Sequence, residues 1–153
     1  MAPINMARVI LGGLVAGLII NISEFVLNVI VLEAQWREAM TSLNRQPVES
    51  VGTIVAFNII GFIYGIFTVW LYAAIRPRYG PGVKTALCAG SSVWLIGYAM
   101  ALAFPVLADL FPIKLIAISL LWGLVELLVA SVVGAKLYQE AAGPQAAAAA
   151  SGG

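Results

Sequence analysis

The chain has 153 residues, of which 62% are apolar and only 10% charged, and eight Lys+Arg against seven Asp+Glu give a formal net charge of +1. Soluble domains run at about 45–50% apolar and about 25% charged, so this composition reads as an integral membrane protein. There is no basic excess to hold nucleic acid. The lack of histidine removes imidazole metal sites and His-based triads, and the lone Cys88 removes an intrachain disulfide, a CxxC pair or a cysteine metal cluster. No metal or cofactor is therefore expected.

Four apolar runs are expected to be membrane spans: about 8–32, 48–75, 83–107 and 113–138. Each is about 25 residues, or roughly 37 Å of helix, against a hydrocarbon core of about 30 Å. They are apolar all round, which argues against the alternating strands of a membrane barrel. The expected fold is all-α, an integral membrane four-helix bundle forming a single domain over residues 1–140. The first run outlasts a signal-peptide core and is read as a retained span. Between spans one and two, Trp36, Met40 and Leu43 recur at i, i+4, i+7, predicting a short interfacial helix with Trp36 at headgroup depth. Pro47 is read as the start of span two. Arg76-Pro-Arg-Tyr-Gly-Pro-Gly82 reads as a stiff turn, and the Ala/Gly-rich tail 141–153 as disordered.

Arg8, Arg76, Arg78, Lys84 and Lys136 fall on one side of this topology, and Arg37, Arg45 and Lys114 on the other. The positive-inside rule then places both termini in the cytoplasm.

At 100° per residue, Gly13, Gly17, Asn21, Glu24 and Asn28 lie within an arc of about 80° on span one. Asn58, Gly61, Gly65, Thr68 and Tyr72 form a similar stripe on span two. Gly90, Trp94, Gly97, Tyr98 and Ala101 do so on span three, and Ser119, Gly123, Glu126, Ala130 and Gly134 on span four. Small residues four apart let helix backbones approach closely, so the stripes are expected to face inward, with residues such as Leu71 turned to lipid. Glu24, Asn58, Tyr98 and Glu126 then share one depth. An ionised carboxylate at a helix centre costs about 2.5–3.5 kcal/mol on insertion scales, and no span core holds Lys or Arg. At least one glutamate, foremost Glu126, is expected to be protonated at neutral pH. Glu24 is expected to hydrogen-bond Asn58 or Tyr98. Two readings stand side by side: a proton-carrying or cation-binding pair, and neutral polar glue between helices. Trp94, Trp122 and Tyr64 read as packing residues, and Trp36, Trp70, Tyr72 and Tyr138 as interface anchors.

Gly12-Gly-Leu-Val-Ala-Gly17, Asn21, Glu24-Phe25, Asn28, Trp36 and Ile75-Arg-Pro-Arg-Tyr-Gly-Pro-Gly82 resemble a group of small four-span bacterial membrane proteins to which no activity is assigned. The resemblance covers spans one and two and the second loop, and implies the bacterial inner membrane without supplying a reaction. Small multidrug exporters also have four spans and a Glu in the first, but the Asn21/Glu24/Asn28 pattern differs from theirs. The leading expectation is a non-enzymatic bundle acting by association, as a homo-oligomer or a subunit of a membrane complex. The alternative is a proton-coupled small-solute transporter or channel using Glu24 and Glu126. The lipid bilayer is the one partner that composition itself requires.

Overall fold

The computed structural model describes residues 3–46 and 50–140, and these are helical with no strand among them. Pro47, the first residues of span two as read from the sequence, and the tail 141–153 lie outside the described residues. Four helices are long and apolar enough to cross a membrane: α1 (Met6–Val31), α3 (Val51–Tyr79), α4 (Val83–Leu107) and α5 (Ile113–Leu137). The short α2 (Glu33–Ser42) lies between α1 and α3.

Helix starts follow their capping chemistry. Asn5 accepts a hydrogen bond from the Arg8 N–H at 3.2 Å, and Ser50 accepts one from the Thr53 N–H at 3.1 Å. The second loop is shorter than its sequence suggests. Helix α3 runs on through Arg76-Pro-Arg-Tyr79, because Pro77 stands in its last turns and forfeits only one backbone bond. The reversal is left to Gly80 and Gly82, at φ 83° and 124°, where side chains are strained.

Helix α1 lies between α3 and α5, and α4 closes the ring on the other side. At the end where the termini meet, the Asn5 N–H donates to Tyr138 Oη at 3.4 Å, and Arg76 pairs with Glu140 at 3.0 Å. Tyr72 and Tyr138, read as interface anchors, are buried here edge to face with ring centroids 6.0 Å apart. The core on this side comprises Val9, Ala16, Ile20, Val69, Ala86, Ala89, Leu127 and Ala130. Leu71, expected on the lipid face, is half-buried against it, since α3 is flanked here by α1, α4 and α5.

Glycines set the helix spacing. A Cβ on Gly12 would lie 2.6 Å from the Gly134 carbonyl oxygen, and one on Gly17 would lie 2.7 Å from Phe62 Cα. A Cβ on Gly65 would overlap the backbone of Gly13 and Gly17, and one on Gly13 the backbone of Ile66. Only residues without a side chain permit these crossings.

At the far end, α2 folds back and buries Ala39 with Leu27, Leu32 and Leu115. Its buried face therefore includes Ala39, beside the half-buried Trp36 and Met40, and Leu43 is turned out at 37% exposure. Here α3 and α4 bury nothing: among described residues, none of α3 before Gly61 and none of α4 after Val93 is buried.

Candidate functional site

Between the dense end and the open end lies a polar layer. Glu24 and Asn28 reach it from α1, Tyr98 from α4 and Glu126 from α5. Tyr98 Oη stands 2.8 Å from Glu24 Oε1 and 3.1 Å from Glu126 Oε1, so one phenol bridges two carboxyl groups. Glu24 Oε2 accepts from Asn28 Nδ2 at 2.5 Å, and Asn28 Oδ1 accepts from Trp36 Nε1 at 2.8 Å. The chain of contacts thus runs from α2 to the buried Glu126, which is only 4% exposed. Trp36, read as an interface anchor, is a strut of this network and packs edge-on against Phe111.

Two local departures from α-helix geometry hold the layer. Residues Val26–Val31 and Leu95–Met100 each form a π-helical turn, seen in the Leu32 N–H to Leu27 carbonyl bond at 2.8 Å. Asn28 lies in the first and Tyr98 in the second. Such turns take an extra residue per bond and recur at functional sites. They also break the 100° spacing on which the inward stripes rest. Ala101, placed on the span-three stripe by that spacing, lies past the second π turn and is exposed.

Glycine again makes room for the bridge. Tyr98 packs its ring onto Gly123, where a Cβ would lie 2.5 Å from Cε1. Tyr64 lies edge-on to Tyr98 at 5.9 Å and donates to the Gly97 carbonyl at 3.1 Å. Trp94 and Trp122, read as packing residues, also donate across helices: Trp94 to the Leu120 carbonyl at 2.9 Å and Trp122 to Ser23 Oγ at 2.8 Å.

The residues singled out from sequence separate into two groups. Glu24, Asn28, Tyr98 and Glu126 converge. Asn21 and Asn58 do not join them: Asn21 Nδ2 donates to the Asn58 backbone carbonyl at 3.1 Å, with its side chain filling the space opposite Gly61. The Asn58 side chain is exposed and turns back to the Ile54 carbonyl at 2.8 Å. Asn58 therefore does not bond Glu24; the stripe on α3 is buried only from Gly61 onward.

Ser23 and Trp122 carried no signal for this site in the sequence. A Ser–Trp pair on two different helices has no spacing to read, and only the α1–α5 crossing brings them together. Glu126 Oε2 is buried without a hydrogen-bond partner, although Ser23 lines the same crevice. Among the described residues no three His, Cys, Asp or Glu side chains converge as metal ligands do.

Chemically, the arrangement is a hydroxyl between two acids. A phenol has one proton to donate and can accept in return. Two ionised carboxylates would leave one oxygen facing the phenol oxygen with no hydrogen between them; a single added proton completes the chain. No protein-family model, curated protein or solved structure matches the chain.

Proposed function

We propose that this is a non-enzymatic, multi-pass protein of the bacterial inner membrane in which Glu24 and Glu126 share one exchangeable proton through Tyr98, coupling its uptake and release to movement of a small solute. The observation that carries this reading is the single phenol within 3.1 Å of both carboxyl groups. Glu24 is surrounded by donors, Asn28 and Tyr98, as an ionised carboxylate requires. Glu126 meets Tyr98 through Oε1 and leaves its buried Oε2 without a hydrogen bond, so it is assigned the proton, which it donates to Tyr98 Oη.

The membrane placement rests on the four apolar helices and their exposed Leu, Ile, Val and Phe side chains. The five basic residues Arg8, Arg76, Arg78, Lys84 and Lys136 belong to the end where the termini meet, so that end faces the cytoplasm and α2 lies at the outer surface. The unpacked ends of α3 and α4 then give protons a route to the layer from outside, while the glycine crossings close the inner side.

Proton flux into liposomes tests the proposal. Wild type should dissipate or build a pH gradient in the presence of its solute, and Glu24→Gln should reduce flux at least tenfold. Equal flux in the two would overturn it. Self-association is the second reading, favoured by Asn58: an exposed amide at membrane depth gains a partner from a second copy. Cross-linking that depends on Asn58 would support it.

A further inference from the structure

A crevice of about 500 Å³ opens on the seam between α1 and α5, and Ser23, Trp122 and Glu126 are its polar residues. That volume is within the range of small-molecule sites, about 300–1,000 Å³. Its shape follows from the helix crossing. Gly12 and Gly134 hold the two backbones together at one end, and the Trp122–Ser23 hydrogen bond braces them at the other. The rest of the wall is apolar, including Ile19, Val125 and Val129, and the rim residues Val125 and Val129 are exposed at 63% and 49% on the surface assigned to lipid. Glu126, 96% buried, lines this crevice with its Oε2 unpartnered.

We infer that the crevice is a binding site for a lipophilic ammonium, a cation that carries at least one N–H and an apolar body, entering sideways from the bilayer. The apolar walls take the body. The N–H gives the buried Glu126 Oε2, which makes no hydrogen bond in the structure, a charged donor, and such a bond is worth more in a dry site than in water. The charge decides against a neutral alcohol: no Lys or Arg lies in the core to offset an ionised pair, and the ammonium supplies that cation. Ser23, whose oxygen accepts from Trp122, keeps its own proton free to donate to Glu126.

This inference rests on the shared proton proposed above for its stoichiometry. The protonated Glu126 carboxyl loses its proton as the ammonium arrives, giving a carboxylate–ammonium pair and one proton released per cation bound. No electrons move and no covalent bond to carbon changes.

The test uses the full chain in nanodiscs of zwitterionic lipid and three probes: 4-phenylbutylammonium, its N-trimethyl analogue, which lacks an N–H, and 4-phenylbutanol. Binding is read by titration calorimetry in two buffers of different ionisation enthalpy, with the Trp122 indole N–H resonance as the local reporter. The primary ammonium should bind at least tenfold more tightly than the other two and shift Trp122. Glu126→Gln should lose that preference, and Val129→Trp, which fills the crevice, should lose it while Glu126 remains. Equal partition of the three probes, or an unchanged preference in both variants, overturns the site. Release of one proton per cation supports exchange. Glu126-dependent binding without proton release overturns the shared proton and leaves the crevice standing.

Discussion

Toward the termini, the four long helices meet along glycines and small residues, and backbone lies on backbone. A Cβ at Gly65 would enter the space of Gly13 and Gly17, and the surrounding Val9, Ala16, Val69 and Ala89 have no exposed surface at all. Beyond Glu24 and Tyr98 the same helices change character. Helices α3 and α4 bury nothing there, and the order that remains comes from the small cluster of Leu27, Leu32, Ala39 and Leu115 and from hydrogen bonds, Trp36 to Asn28, Asn28 to Glu24 and Tyr98 with both acids. One half is held by close backbone approach, the other by a small apolar cluster and by polar side chains that must find partners. The two π turns mark the boundary between them.

The comparison is broken most severely at the glycine crossings. Gly65→Leu has backbone as its obstacle and should cost more than the about 1–3 kcal/mol typical of overpacking, leaving no monodisperse folded protein in detergent. Gly61→Leu should cost less, because its obstacle is the Asn21 side chain, which can move. A Gly61→Leu variant less stable than Gly65→Leu in thermal melts would show that the dense half is not governed by backbone contact.

The next largest effect is expected at the bridge. Tyr98→Phe keeps the ring on Gly123 but removes the hydroxyl that bridges the acids, stranding the buried Glu126 carboxyl at a cost of about 1–3 kcal/mol. Adding Glu126→Leu, which removes the orphaned acid, should recover part of that loss. Thermal melts of wild type, both single variants and the double variant complete a double-mutant cycle and read the coupling.

Much of this contrast is legible in the sequence, and the limit has a physical cause. Four runs of about 25 apolar residues fix the helices, since nothing else satisfies so much backbone in a nonpolar setting. Stripes at 100° per residue pick out Gly13, Gly17, Gly61, Gly65, Gly123 and Glu126, all of which are buried. The same arithmetic fails where its premise fails. It places Asn58 inward although only its backbone meets α1 and its side chain is exposed, and Ala101 inward although a π turn precedes it. Pairings between helices, such as Trp122 with Ser23 or Trp94 with the Leu120 carbonyl, leave no periodic trace.

A smaller effect belongs to the brace of the crevice. Trp122→Phe removes the bond to Ser23 and should cost about 1 kcal/mol in the same melts, with the α1–α5 seam loosened at its far end. The smallest is expected on the open half. Ile59→Ala, at an exposed position of α3, should stay within about 0.5 kcal/mol of wild type. A large loss at Ile59 would mean that a partner covers this face.

The measurement closest to the central claim is an infrared difference spectrum between wild type and Glu126→Gln in lipid at neutral pH. One proton shared through Tyr98 predicts that the substitution removes a protonated carboxyl band and leaves the carboxylate bands, Glu24 included, unchanged. A carboxylate band that disappears with Glu126, in a wild-type spectrum with no protonated carboxyl band from Glu24, would show both acids ionised and would contradict the shared proton.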